Sequence, residues 1–558
     1  MRIQTRWFLT VLLLALSVRA EAVTITVLAT TDLHGNLYPY DYYTAKPAQR
    51  GLAKIATLIR EARRENPASI LIDCGDTIQG TPLESVYQSR VRTGKLPAGM
   101  HAPPGPLPSG DPMMLAMNAL GYQAMVLGNH EFNFGLKNLE QARASAAFPW
   151  LSANTLVEPG SRFKPFDPSI LIEVAGVKVA IVGITTPSIP SWEAPGQYKG
   201  LRFADGTQAA ESAVREARRK YQPDLVIAAV HAGLGSDHEN MVRQIATSVA
   251  GIDAIVYGHS HQQEEGLRIG EVLLVQPKNW GMSLARLDFD LENTGKGWKL
   301  TAKRSRLIPV RAATAADPEI LRLAKPYHDL AELYLNTPVA ESPADLDSAR
   351  GRIEDTALVD AIQQAQLYYT KADVSFTALF NLDVHVPKGP LTVRQIAALY
   401  LYDNELYAIE GTGKMVREAL ENAARFYLSC PTAACDRGPL VNRGVMGYNY
   451  DMAEGVTYEI DLTKPVGQRI TDLRWKGRPL APDQKLRIAL NNYRAAGSGG
   501  YNMFRGAPIV WRSSDDLRNL IVTYYSENHR LPAAPDNNWR IVPEAARRTL
   551  AAEGRSAP

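Results

Sequence analysis

Between residues 24 and 277 the chain repeats one pattern: a short run that is apolar at nearly every position, then a stretch with helical periodicity. The runs are TITVLAT, SILIDCG, AMVLGN, VAIVGIT, DLVIAAV, DAIVYG and VLLVQP. Uninterrupted apolar runs, as opposed to alternating ones, predict strands covered on both faces, and their recurrence with helices predicts an α/β domain. The Pro/Gly-rich segment LPAGMHAPPGPLPSGD interrupts the pattern and predicts a surface loop before a helix that begins near Pro112. Near residue 311 the pattern changes. Asp317 and Pro318 have the form of an N-cap and first helical residue, and Ile320, Leu323, Ala324, Tyr327 and Leu330 share one helical face. Pro326 lies inside this helix and predicts a kink or a break. Beyond Val339, helices are expected over 354–370, 392–402 and 413–428, followed by strands such as GVTYEIDL and KLRIALNN, which gives a second domain of α+β or mixed class. No tandem repeat or low-complexity tract is present.

With 558 residues, 45% hydrophobic and 21% charged, the chain has the composition of a globular protein large enough for two domains. The formal charge is +3, and Arg2, Arg6 and Arg19 against Glu21 supply two of those charges, so no global field favours nucleic acid. The same N-terminal segment reads as a secretory leader over 1–22: arginines, an apolar run from Trp7 to Val18, then Ala20-Glu21-Ala22 as an A-x-A cleavage site. That run is too short to span a bilayer, which needs about 20 apolar residues. A periplasmic or secreted protein without a membrane span is expected. In such a compartment Cys430 and Cys435, close together in SCPTAACDRG, are able to pair, and Cys74, inside an apolar run, reads as a buried small hydrophobe.

Metal-binding residue types stand directly after five of the apolar runs, where open α/β sheets bind ligands. They are Asp32 and His34 in TTDLHGN, Asp76 in DCGDT, Asn129 and His130 in LGNHEFN, His231 in AVHAG, and His259 and His261 in YGHSH; this set takes five of the chain's ten histidines. Carboxylate, imidazole and amide oxygen suit first-row divalent cations, and the lack of cysteine argues against a structural thiolate site. A D-x-H or H-x-H pair at a strand end puts both side chains on one face. The adjacent Gly35, Gly75, Gly128 and Gly258 are expected to let the backbone turn sharply. Seven ligands are too many for one tetrahedral ion and suit two.

D-x-H, G-D, G-N-H-E, H and G-H-x-H in this order make the chain resemble the calcineurin-like metallophosphoesterases, and within them the secreted nucleotidase family. The resemblance covers nearly the whole mature chain, with LYLYDNELYAIEGTGK and LNNYRAAGSGGYNMF marking the second half. It implies a β-sandwich flanked by helices (αββα) over 23–310, a connecting helix over 311–340 and a nucleotide-binding α+β domain of the 5′-nucleotidase type over 341–545. It also implies one ion on Asp32, His34, Asp76 and His261, with Asp76 bridging to a second on Asn129, His231 and His259. The metals are drawn from Mn, Zn, Co, Fe and Mg. His130 is left as transition-state stabiliser or proton donor. Tyr450 and Tyr501 occupy places where the family sandwiches the base, and Asn404 and Asp403 are weaker substrate contacts. FNLDVHVPKG lacks the Gly-rich sequence and arginine with which monophosphate-specific relatives hold phosphate.

Where 5′-nucleotidases follow N-H-E-F with Asp, this chain has Asn133, which leaves His130 a neutral partner. With TTDLHGN and the DYY at 41–43, this makes the chain similar to the bacterial 2′,3′-cyclic-nucleotide 2′-phosphodiesterase/3′-nucleotidase branch. The expected activity is hydrolysis of cyclic and 3′-nucleotides by a monomer acting on small-molecule nucleotides and on no nucleic-acid duplex. The alternatives are a 5′-nucleotidase or broad nucleotide phosphatase and, remotely, a non-catalytic nucleotide-binding or surface-interaction protein. His101, His238, His328, His385 and His529 match no motif and read as packed or solvated, and GTGK ending at Lys414 fails the phosphate-loop spacing.

Overall fold

The computed structural model describes residues 22–97, 100, 106–402, 404–430, 435–528 and 530–553. The expected leader, apart from Ala22, lies outside them, as do Asp403, His101 and His529. Two six-stranded sheets form the N-terminal half. In spatial order the first is Trp298–Pro309, Ser283–Asn293, Ala22–Thr30, Ser69–Asp73, Ala124–Val126 and Trp150–Leu151. The second is Glu264–Ile269, Val272–Gln276, Ala254–Tyr257, Leu225–His231, Val177–Thr185 and Ser169–Val174. The central strands of each sheet run parallel.

Strand periodicity explains the doubly apolar runs. Ile25, Val27, Ala29, Ile70 and Ile72 face inward against residues of the second sheet such as Val179, Ile181, Ile227 and Val256. Their outward-pointing neighbours Leu28 and Leu71 lie under helices Leu52–Glu65 and Pro112–Leu120, and Val182, Ala228 and Val230 lie under Gly206–Tyr221. Each fully buried Val, Ile or Leu contributes about 1.5–3 kcal/mol, so a run buried on both faces admits a polar residue only with a partner, as Thr26 has in Asp288 Oδ1 at 2.6 Å. The result is an αββα sandwich whose parallel strands present polar residues at their carboxyl ends.

Helix Pro318–Leu335 joins the halves, with Asp317 Oδ1 accepting from the Glu319 and Ile320 backbone N–H groups at 3.0 and 3.1 Å. It runs through Pro326 as one helix instead of two pieces, and Ile320, Ala324, Tyr327 and Leu330 are buried. They belong to an apolar cluster that continues into both domains, through Leu71 on one side and Leu358, Ile396 and Ile521 on the other. Packing on both sides holds the helix across a proline that would break it in isolation. The C-terminal half has a mixed five-stranded sheet, ordered Asp451–Glu454, Val374–Ala378, Lys485–Asn491, Glu405–Thr412 and Ile509–Asp516, and a second sheet of four strands. The three expected helices appear as Ala357–Thr370, Val393–Leu399 and Gly413–Ala424. The last stops short of residue 428 because Leu428 N pairs with Leu440 O instead. Cys430 and Cys435 form a disulfide, and Cys74 is buried with its Sγ 3.4 Å from Val256 O. Among the described residues no helix is long and apolar enough to cross a membrane.

Candidate metal centre

The carboxyl ends of five strands converge on one cluster. Asp32, His34 and His261 form one group of potential ligand atoms, and Asp76, His231 and His259 another. Asp76 links them: its Oδ2 is 3.0 Å from His231 Nε2 and 3.8 Å from His34 Nε2. Asn129 Oδ1 lies 3.2 Å from His231 Nε2, and His261 Nε2 lies 3.6 Å from Asp32 Oδ1 and 3.0 Å from His34 Nε2. The structure therefore brings all seven sequence-selected ligands together.

Hydrogen bonds outside the cluster orient two of its rings. His34 Nδ1 donates to Gln79 Oε1 at 3.1 Å and His231 Nδ1 donates to Cys74 O at 2.7 Å, so each ring turns Nε2 inward. What those nitrogens meet is the imidazole of His261, the carboxylate of Asp76 and the amide oxygen of Asn129, which are acceptors themselves. Burial pushes His34 and His261 down to about 4, against the pull of Asp76, so both are in the ligating form at neutral pH. At His231 burial also opposes charge, but Asp76 outweighs it and pushes the group up to about 10. The cluster thus binds positive charge, as a proton or as a cation. Ligand atoms about 2.0–2.2 Å from a shared ion lie about 3–3.6 Å apart, close to the separations seen. The donor set fits divalent metal ions.

Holding these groups costs backbone strain. Asp32, His34, Asp76, His259 and His261 have φ of 49°, 45°, 57°, 70° and 53°, a left-handed region that costs about 1–3 kcal/mol for each non-glycine residue. Glu131, fully buried, offsets part of it by accepting the N–H groups of Asp76, Thr77 and Gly128 at 2.9, 2.6 and 2.7 Å. Asp32 accepts His259 N at 3.0 Å. Of the four glycines expected to turn the chain, Gly35 and Gly75 have φ of 62° and 90°. Gly128 and Gly258 serve close approach instead, since a Cβ would lie 2.1 Å from Asp76 Oδ1 at the first and 1.9 Å from Thr31 Oγ1 at the second.

His130 opens the short 3₁₀ turn His130–Phe132, its backbone N–H bonded to Asp76 Oδ1 at 2.8 Å. Its Nδ1 is 2.6 Å from Asn133 Oδ1, and its Nε2 is 3.4 Å from the hydroxyl of Tyr493, a residue of the C-terminal domain. Tyr493 stacks near Trp192, whose ring lies 5.5 Å from that of His259.

Model-wide matches fit this geometry. The calcineurin-like phosphoesterase family model matches residues 25–263, and that of the 5′-nucleotidase C-terminal domain matches 335–506. A 2′,3′-cyclic-nucleotide 2′-phosphodiesterase/3′-nucleotidase of Salmonella typhimurium is 30% identical over 95% of this chain and 91% of its own. The chain belongs to the calcineurin-like phosphoesterases. A trifunctional nucleotide phosphoesterase protein of Bacillus subtilis is also 30% identical over 94% of the chain, which spans 39% of that relative's length. The structure of a putative 5′-nucleotidase from Staphylococcus aureus, in complex with α-ketoglutarate, superposes with a TM-score of 0.74 at 25% identity, covering 93% of this chain and 100% of that one. This phosphoesterase is a metal-dependent hydrolase of phosphoric esters.

Three expected substrate contacts are corrected. Tyr501 is fully buried, with Phe504 stacked on one side, the Arg494 guanidinium 4.5 Å from its ring centre, and its hydroxyl bonded to Asn449 O and Asp451 N. Tyr450 is enclosed by Phe426, Tyr427 and Trp539. Neither ring has a free face for a base. Asn404 is buried, its amide donating to the Tyr400 hydroxyl at 3.1 Å. Of the bland histidines, His238 and His385 are exposed and His328 stacks on Tyr38 with ring centres 4.1 Å apart.

Gln79, Trp192, Glu193, Glu239 and Tyr493 were missed by sequence reasoning; Glu239 Oε1 lies 3.1 Å from His259 Nε2. Trp192 and Glu193 lie in the loop after the run VAIVGIT, beyond the reach of the strand-end rule, and Tyr493 sits in the block LNNYRAAGSGG eight positions before Tyr501.

Proposed function

We propose that this phosphoesterase hydrolyses 2′,3′-cyclic nucleotides and 3′-nucleotides with two divalent ions on Asp32, His34, Asp76, Asn129, His231, His259 and His261. The carrying observation is the convergence of inward imidazole nitrogens, carboxylates and an amide oxygen on one buried cluster that favours bound positive charge. When bound, two such ions supply Lewis acidity for in-line displacement at phosphorus. The chain's own part is positional. Asp76 spans both ligand groups, and His130 presents Nε2 towards the C-terminal domain while its Nδ1–H donates to Asn133 Oδ1. An acceptor at Nδ1 lets the ring carry a second proton on Nε2, and in that form His130 faces substrate as transition-state stabiliser or proton donor to the leaving oxygen. The neutral Asn133 partner and the name of the Salmonella relative support the cyclic and 3′ substrates over 5′-nucleotides. The resemblance to the Staphylococcus structure supports 5′-nucleotide hydrolysis as the second reading. The leader pattern and the disulfide support export to the periplasm or medium. The test is turnover of 2′,3′-cyclic AMP, 3′-AMP and 5′-AMP by the purified mature chain with Mn, Zn, Co, Fe or Mg added. Fast cyclic and 3′ cleavage is expected, and dominant 5′-AMP hydrolysis would replace this reading with the second.

A further inference from the structure

Asn133 is held on two sides. Its Oδ1 is 2.6 Å from His130 Nδ1, and its Nδ2 is 2.6 Å from Glu193 Oε1. Glu193 Oε1 accepts whether the carboxyl group is ionised or carries its proton on Oε2, so the amide turns its NH₂ to Glu193, which leaves its oxygen for His130. With the amide reversed, His130 would meet an N–H donor at Nδ1 and would have to carry its proton on Nε2. An isolated Asn has no preference between these states. Here the choice is made from outside the His–Asn pair.

The loop bearing Glu193 is built for this. Gln197 Nε2 donates to Asn133 O at 2.7 Å, and Gln197 Oε1 accepts Ala194 N at 2.7 Å, so the same loop grips Asn133 at backbone and side chain. Trp192 O accepts from Asn492 Nδ2 at 3.0 Å, which ties the loop to the C-terminal domain. Glu193 is 3% exposed, and its second oxygen, Oε2, has no hydrogen-bond partner. Burial, Glu405 and Asp76 all oppose its charge. A carboxyl group kept in so unfavourable a place for one hydrogen bond calls for a reason beyond packing, where an apolar residue would be more stable.

We infer that Glu193 is a positioning residue for hydrolysis, which fixes the orientation of the Asn133 amide and through it the tautomer and aim of His130. An Asp at this position would need no such device, because both carboxylate oxygens accept; this chain has Asn and takes the orientation from Glu193. The inference rests on the role proposed above for His130.

Glu193→Leu tests it, since it removes the acceptor at similar volume and relieves the repulsion from Glu405. Expected are an unchanged or higher melting temperature, an unchanged metal content, a KM within about threefold of wild type and a kcat lower by roughly 10-fold or more. Asn133→Asp added to Glu193→Leu should restore kcat to within about threefold, because Asp has no wrong face. In an Asn133→Ala background Glu193→Leu should cost less than about twofold. Wild-type kcat in Glu193→Leu, loss of metal together with activity, or no rescue by Asn133→Asp would each overturn the inference. If wild type itself fails to cleave nucleotides, the proposed function fails first; the same variants assayed on p-nitrophenyl phosphate still read Glu193 separately.

Discussion

Gly128 offers the most direct test of the metal centre, because its role is steric and local. A Cβ there would lie 2.1 Å from Asp76 Oδ1, 2.5 Å from Asp76 N and 2.8 Å from Asp76 Cγ. Ordinary carbon contacts are about 3.5–4.0 Å, so Asp76 must retreat by about 1 Å in Gly128→Ala. Overpacking of this kind costs about 1–3 kcal/mol, offset by about 0.4–1 kcal/mol from the stiffer unfolded chain. At about 2–4 °C per kcal/mol for a large domain, melting should fall by a few degrees. Function should suffer more. Asp76 reaches His34 and His231 through Oδ2 and holds the His130 backbone through Oδ1, so one displacement disturbs both ligand groups and His130. A shift of about 1 Å costs on the order of 100-fold in rate. The assay is metal content after gel filtration, by mass spectrometry, together with kcat/KM. Gly196→Ala is the control: a Cβ there meets nothing within 4 Å, and melting should stay level or rise. A Gly128→Ala protein with two ions per chain and activity within threefold of wild type would refute the reasoning.

Three other outcomes follow from the structure. Burial and the neighbouring Asp355 and Asp536 push Asp360 up to about 8, so the stability carried by its protonated form is complete below about pH 4 and lost as pH rises through 8. Asp360→Asn should therefore melt at least about 2 °C higher than wild type at pH 8 and level with it near pH 4; a difference independent of pH in a fluorescence melting series would contradict this. The disulfide closes a short loop, sequence separation 5, which in the chain-entropy model is worth about 2 kcal/mol. Cys430→Ser/Cys435→Ser should melt several degrees lower, a loss that a reductant reproduces in wild type, and identical melting curves would rule it out. Chelation should abolish hydrolysis and lower melting, by about 4 kcal/mol relative to protein at 1,000 times the metal Kd. Retained turnover with less than roughly one-tenth of an ion per chain would dismiss the metal reading.

The sandwich was legible because each central strand is buried on both faces and so reads as an apolar run. For the same reason the candidate ligands could be read without knowing the strand order: Asp32, Asp76, Asn129, His231 and His259 lie at or just beyond the carboxyl ends of their strands. The C-terminal domain lacks this contrast. Its tyrosines are common and its strands shorter, and whether Tyr450, Tyr493 or Tyr501 faces the metals depends on strand register and on how the domains dock. Tyr501 hides behind Phe504 and Arg494, whereas Tyr493, eight positions earlier, reaches His130. The role of Pro326 was similarly outside local reach, since a shared core on both sides holds its helix together.

Beside the stacking of Tyr493 near Trp192, the two domains meet at the metal centre through polar contacts. Asn492 and Tyr407 donate to Trp192 O, and the Tyr493 hydroxyl approaches His130 Nε2. Exchange of such bonds for bonds to water costs little, because a neutral hydrogen bond contributes only about 0.5–1.5 kcal/mol net. The apolar contact between the domains is concentrated instead along helix Pro318–Leu335, whose buried face packs into both. Separation at the site while the helix stays packed is therefore the cheaper route for admitting substrate and releasing product. On the role proposed for His130, Tyr493 sets a requirement for such movement: its hydroxyl lies 3.4 Å from His130 Nε2, so a phosphate ester reaches that nitrogen once Tyr493 withdraws. The loop Trp192–Gln197 then has two tasks on one backbone. It holds the C-terminal domain through Trp192 O and orients Asn133 through Glu193 and Gln197, so docking of the second domain and alignment of His130 share the same segment.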